Sequence, residues 1–235
     1  MAAHFDAAGL ACDYAALAAS RERGHLAVCL ARLEDFDPKQ VRIAAQMAFW
    51  INLFNAAVLR DAPELTLAGD EREMEAFFER PRLRIFGHQF SLDEIYHGLL
   101  RGNLPAHGRL QAPMRRDDAR LAYMPIAFDE RVHFALFRGS RSSPAFRVFE
   151  GGSLDVQIED AATQYIRRMA RVEGDGSVVT VPKILQWYAR DFGDESEVLE
   201  FVLRRLDDAS VERAERSIGR IKLRYDAFDW ALNRR

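Results

Sequence analysis

The chain has 235 residues, 49% of them apolar and 29% charged, proportions that exclude collagen-like repetition and intrinsic disorder. A net charge of −3 removes any general electrostatic case for nucleic acid or an anionic membrane as partner. Two cysteines, Cys12 and Cys29, are too few for a disulfide framework or a cysteine-rich metal site, and no cysteine follows residue 29.

The first twenty residues lack a basic segment, and Asp6 and Asp13 interrupt the alanine-rich stretch, so no signal peptide is expected. No window reaches the roughly 18 uninterrupted apolar residues of a membrane helix. A cytoplasmic location with reduced cysteines is the resulting expectation. Among the 33 basic residues only Lys39, Lys183 and Lys222 are lysines, which makes arginine the default cationic ligand group.

Residues 13–34 have helical spacing and predict two short helices broken near Gly24. Asp37-Pro38 predicts the start of a longer helix running to about Arg60, with Asp37 as cap and Pro38 in its first position. This helix is apolar around most of its circumference, through Phe49, Trp50, Ile51, Leu53, Phe54 and Val58, and belongs at the centre of a fold. Asn52 and Asn55 lie inside it, three residues apart on one face. Buried amides of this kind are costly unless hydrogen-bonded.

A short amphipathic helix is expected over 70–79, then a strand over 82–86 with a turn at Gly87-His88. Ser91 and Glu94 form a capping-box pair for a helix from Leu92 to Arg101. Residues 102–128 are rich in Gly, Pro and Arg with weak periodicity, and long stretches of that kind tend to be functional or mobile. Val132–Phe137 reads as a buried strand, 154–172 as an amphipathic helix and 177–181 as a strand closed by Pro182. Helices follow at about 183–190, 195–206 and 210–218, then a strand at 221–225. The expectation is a helix-rich α+β protein with a small antiparallel or mixed sheet, in one domain over 1–235. Residues 1–37 would form a helical segment packing on a core of 38–235.

General catalytic motifs are missing. The six histidines show no metal-ligand spacing, Gly151-Gly152 lacks the rest of a phosphate loop, and there is no nucleophile elbow. Neither a metal nor a cofactor is therefore expected. The most unusual local chemistry is the run from His133 to Pro144, where a histidine in an apolar segment feeds a turn with Arg138, Gly139, Ser140, Arg141, Ser142 and Ser143. Polar turns on rigid elements are where sites are built, although the same residues also serve as ordinary turn formers around a core histidine.

Four segments carry a resemblance. Ala48-Phe49-Trp50-Ile51-Asn52-Leu53-Phe54-Asn55-Ala56 resembles the F-W-I-N-x-Y-N-A signature of the "domain of unknown function 547" family. Ser91-Leu92-Asp93-Glu94-Ile95 resembles its S-L-D-D-I-E helix, and the His133 segment resembles its H-F-A-L block. Asp229-Trp230-Ala231-Leu232-Asn233 resembles the closing D-W-x-L-N. This resemblance implies a permuted papain-like fold and a thiol-peptidase-like site built from a glutamate of the S-L-D-D-I-E helix, the histidine of H-F-A-L and a nearby cysteine.

Carried over by position, the histidine is His133, whereas the glutamate position holds Tyr96, followed by His97. The two cysteine positions hold Arg138 and Ser143. Replacing a thiol by arginine removes the nucleophile and introduces a permanent cation. Three readings follow. In the first, a pocket binds a small anionic or peptide-like molecule through Arg138 and Arg141, with Ser140 and Asn55 as polar partners. In the second, Ser143 attacks an acyl group with His133 as base, giving an amide hydrolase or acyltransferase. In the third, Tyr96, His97 and His133 carry out acid–base chemistry without a covalent intermediate. A purely structural or partner-binding module is the remaining class.

Overall fold

The computed structural model describes residues 2–65 and 70–235. Its architecture is helix-rich α+β with two small sheets. The chain forms two compact units, one of residues 1–158 with 230–235, the other of residues 159–229.

In the first unit, α1 (Tyr14–Ala19) and α2 (Arg21–Ala31) meet at Ser20, not at Gly24, which lies within α2. The serine hydroxyl explains the position of the break. It donates to the Leu17 carbonyl (2.8 Å) at the end of α1 and accepts the Arg23 amide (3.2 Å) at the start of α2. Asp37 caps a short 3₁₀ turn, Pro38–Gln40, by accepting the Lys39 amide. The chain then extends through Val41, so α3 (Ile43–Arg60) begins later than its proline suggested. α3 buries Trp50, Ile51, Leu53, Phe54, Val58 and Leu59 and packs on α2.

The short helix α4 (Ala62–Leu65) follows, and Asp70 caps α5 (Glu71–Glu79). Strands β1 (Pro81–Ile85) and β2 (His88–Ser91) form an antiparallel hairpin whose two turn residues, Phe86 and Gly87, both have positive φ. Ser91 and Glu94 close the capping box in both directions, at 3.0 and 2.8 Å. The helix that follows is π-helical over Glu94–Leu100 rather than α-helical, and it packs against α3. Wide turns of this kind frequently occur at functional sites.

Residues 132–137 are fully buried but are not a strand: a 3₁₀ turn, Glu130–Phe134, leads into chain without regular secondary structure. An apolar run reports burial and not pairing. Here the backbone groups are satisfied by the turn and by a side chain of α3, so no partner strand is needed.

The helix α6 (Leu154–Met169) begins in the first unit and continues into the second. The second unit holds β3 (Arg171–Glu173), β4 (Val178–Val181), α7 (Lys183–Trp187), α8 (Ala189–Phe192), α9 (Glu195–Leu203), α10 (Asp208–Glu215) and β5 (Lys222–Tyr225). β4 pairs antiparallel with β3 and parallel with β5, which makes this sheet mixed. Asp194 and Glu197 form a complete capping box on α9. No helix among the described residues is long and apolar enough to cross a membrane.

Candidate functional site

The site is positioned by two asparagines of α3. Asn55 is buried, and its amide donates to the carbonyls of Ala135 (3.0 Å) and Arg147 (3.3 Å) while its oxygen accepts the Phe137 amide (2.8 Å). One turn earlier, Asn52 holds Phe149 in both directions, donating to its carbonyl at 2.7 Å and accepting its amide at 2.9 Å. Trp50 adds a bond from its indole nitrogen to the Tyr123 carbonyl (2.9 Å). Two amides one turn apart on one helix therefore hold two separate stretches of backbone, 135–137 and 147–149. Asn55, expected to face a ligand, is instead occupied by main-chain groups on both its nitrogen and its oxygen.

This clamp sets His133 against the π-helix. The Tyr96 phenol is hydrogen-bonded to His133 Nδ1, with both side chains buried. The Arg138 guanidinium lies over the Tyr96 ring, 5.0 Å from its centroid, in a cation–π arrangement. Tyr96 and His97 are themselves in ring contact, with centroids 4.0 Å apart. Tyr96, His97, His133 and Arg138, remote in sequence, are therefore brought into one cluster.

Arg138 is 6% exposed, and its Nη1 has no hydrogen-bond partner among the described residues. Ser140 is equally buried, and its Oγ is likewise without a partner. Between them Gly139 adopts a positive φ of 74°, and a β-carbon there would sit 3.1 Å from the Tyr14 hydroxyl and 3.2 Å from a Leu65 methyl, so a larger residue would be strained. Ser143 serves the turn: its Oγ accepts the Arg138 amide (2.7 Å) and donates to the Pro144 carbonyl (2.9 Å). Arg141, expected as a second ligand-binding cation, has an exposed side chain, and its amide is bonded to the Ala231 carbonyl (2.8 Å).

The C-terminal D-W-x-L-N segment completes this frame. Asn233 accepts from the Tyr14 phenol (2.5 Å), donates to the Leu10 carbonyl (2.6 Å) and bonds its amide to the Gly139 carbonyl (3.0 Å). Cys12 lies in the same knot, fully buried, with its amide on the Asn233 carbonyl (2.9 Å). Burial, reinforced by the neighbouring Asp13, pushes its thiol up to about 12, so it carries almost no thiolate at neutral pH. Cys29 is exposed on α2.

Beside the cluster is a cavity of about 540 Å³ lined by residues including Glu79, Ser91, Asp93, His97, Arg109 and Pro113. His97 Nδ1 accepts from the Arg101 guanidinium (2.9 Å). Because arginine can only donate, the ring hydrogen of the neutral imidazole is on Nε2. Burial, with the nearby Arg101 and Arg138 charges, holds His97 well below the usual histidine range. Asp93 shows the opposite effect. Burial first, then the Glu79 carboxylate, push it up to about 7, against the pull of Arg138 and Arg109.

Residues 102–128 are less irregular than their composition suggested. Arg101 donates to the Pro105 carbonyl (3.0 Å), Asn103 holds Met114 in both directions, and Met114 fills the space left by Gly98 on the π-helix. Arg120 is tied to Glu94 and Asp118, both at 2.8 Å, whereas Arg115 and Arg116 are exposed. Asp93 and Arg101 were missed as site residues. The readable signal was their spacing from His97, one helical turn on either side.

The family described as "Protein of unknown function, DUF547" matches residues 38–166. No curated protein and no solved structure matches the chain.

Proposed function

The chain belongs to the DUF547 family, and we propose that it is a member whose thiol-peptidase-like site has become a binding pocket for a small anion, carried by a metabolite or a peptide-like molecule. One observation carries the reading: a guanidinium, buried at Arg138, with an unsatisfied Nη1. A buried polar group left without a hydrogen bond costs about 1–3 kcal/mol, and more when it is charged. A carboxylate or phosphate oxygen reaching Nη1 removes that cost. Ser140 Oγ, also buried and unpaired, is the adjacent neutral donor. The phenol of Tyr96, where the family pattern has a carboxylate, leaves Arg138 with an aromatic face instead of an anion. The charge carried by the ligand would meet the Nη1 of Arg138, which has no hydrogen-bond partner among the described residues.

A serine nucleophile at Ser143 is less well supported. Activation requires the hydroxyl hydrogen to lie on a base, and that of Ser143 is directed at the Pro144 carbonyl. Calorimetric titration of the full chain with malonate, glutamate, inorganic phosphate and a dipeptide tests the proposal. Saturable binding of at least one, weakened tenfold or more by Arg138→Gln, is the expected result. Absence of binding to all four, or equal affinity in the variant, overturns it.

A further inference from the structure

The second unit leaves apolar surface open. Along α9, Val198 and Val202 are buried in the core, whereas Leu199 and Leu203, one position further round the helix, are only half-buried. With Val211 of α10, Ile218 of the turn after it, and Ile221 and Leu223 at β5, they line a groove of about 890 Å³. Ile218 is 72% exposed. Every residue of the groove belongs to 159–229, so it is separate from Arg138 and from the cavity beside the π-helix. Contiguous apolar surface rimmed by polar groups marks an interaction site, whereas single exposed aliphatic residues do not.

The rim is acidic. Four carboxylates line the groove: Asp194 and Glu195 at the start of α9, Glu200 within it and Glu215 at the end of α10. The one cation among the lining residues, Arg204, is paired with Glu200. Lys222 and Arg224 alternate with Leu223 onto the other face of β5, where Arg224 donates to the Thr180 hydroxyl (3.0 Å). A second copy of this chain would set the same carboxylates against one another across a two-fold contact, and a nucleic acid or anionic lipid meets the same repulsion. The complementary occupant carries aliphatic side chains between cations.

The shape of α9 specifies the form of that occupant. Its groove-lining residues recur at 195–196, 199–200 and 203–204, a stripe of about 13 Å at 1.5 Å per residue. Ridges with this i, i+4 spacing are the surface against which a second helix packs. We propose that the groove is a docking site for a basic amphipathic helix of a partner protein. Its aliphatic side chains, at i, i+3 or i+4 and i+7, enter between α9 and β5, and its lysines or arginines flank Glu195 on one side and Glu215 on the other. Leu199, Leu203 and Ile218 are the apolar anchors, and the carboxylates select the partner by sign of charge.

The test is fluorescence anisotropy of labelled peptides titrated with the full chain. The probes are a leucine–lysine peptide with helical periodicity, a scrambled peptide of the same composition, and a leucine–glutamate peptide with the same periodicity. The periodic leucine–lysine peptide should bind saturably, about tenfold or more tighter than the scrambled one, and the leucine–glutamate peptide should not bind. Ile218→Ser, at an exposed position that folding does not depend on, should weaken binding about tenfold, and so should Glu195→Lys combined with Glu215→Lys. Absence of saturable binding, equal binding of the scrambled peptide, or unchanged affinity in both variants overturns the proposal. Light scattering that shows a wild-type dimer made monomeric by Ile218→Ser places a second copy in the groove and overturns it as well. None of these readouts involves Arg138, so failure here is separable from failure of anion binding there.

Discussion

The Tyr96 phenol and the His133 imidazole, 37 residues apart, are joined by a hydrogen bond inside the protein. A histidine oriented by a phenol is held in place without gaining a counter-charge, in contrast to one oriented by a carboxylate. Arg138, over the same ring, faces a phenol in place of a carboxylate, and its Nη1 has no hydrogen-bond partner among the described residues.

Restoring a carboxylate at position 96 should therefore silence the site. Tyr96→Glu supplies an internal anion beside Arg138 and should weaken malonate or phosphate binding tenfold or more, measured by calorimetry. Tyr96→Phe removes the phenol from a buried imidazole nitrogen, which should cost about 1–3 kcal/mol of stability by urea denaturation. Unchanged anion affinity in Tyr96→Glu would separate Arg138 from ligand binding.

The two cysteines should behave as opposites. In native protein a thiol reagent such as iodoacetamide should label Cys29 and leave Cys12 untouched, with both labelled after denaturation, as read by peptide mass spectrometry. The Cys12 thiol, pushed up to about 12 by burial, is neutral at any ordinary pH. Rapid native labelling at Cys12 would contradict its placement in the C-terminal knot.

Stability should depend on pH through Asp93 and His97 in opposite senses. The folded pKa of Asp93 is raised from 3.8 to about 7, so the native state binds the extra proton and stability falls as pH rises between those values. Asp93→Asn should thus raise the melting temperature at pH 8, by several degrees if the gain is about 1–2 kcal/mol. His97 is held below its ordinary value of 6.5, so its contribution is present above pH 6.5 and lost as the unfolded chain protonates below it. His97→Gln should flatten that acid limb in melting curves taken from pH 4 to 8.

Asn55 and Ser143 carry structural loads that differ from their expected roles. Asn55→Ala strips partners from Ala135, Phe137 and Arg147 and should destabilise by about 3 kcal/mol or more, whereas Ser143→Ala uncovers one amide and should cost about 1–3. Denaturant midpoints check both. A Ser143→Ala protein with wild-type stability would remove the capping role assigned to its hydroxyl.

Legibility in the sequence followed the range of the interactions. Caps such as Asp70 and the Ser91–Glu94 box are local, and their elements lay close to where spacing put them, whereas Asp37 caps only a 3₁₀ turn ahead of the helix expected there. Val132–Phe137 was legible as buried but not as non-strand, because the group that satisfies its backbone, Asn55, lies some eighty residues earlier. The cluster of Tyr96, His133 and Arg138 was reached through motif positions, and its contacts are tertiary. Asp93 was overlooked because its unusual titration depends on Glu79 and on a cavity, neither visible in a linear pattern.

The central claim rests on Arg138, and the most direct measurement is thermal melting of wild type and Arg138→Met with and without malonate and phosphate. The unpaired buried guanidinium predicts that Arg138→Met melts at or above the wild type without ligand, and that only the wild type is stabilised by an anion. An Arg138→Met protein that melts well below wild type, yet keeps the full anion-dependent shift, would contradict the account.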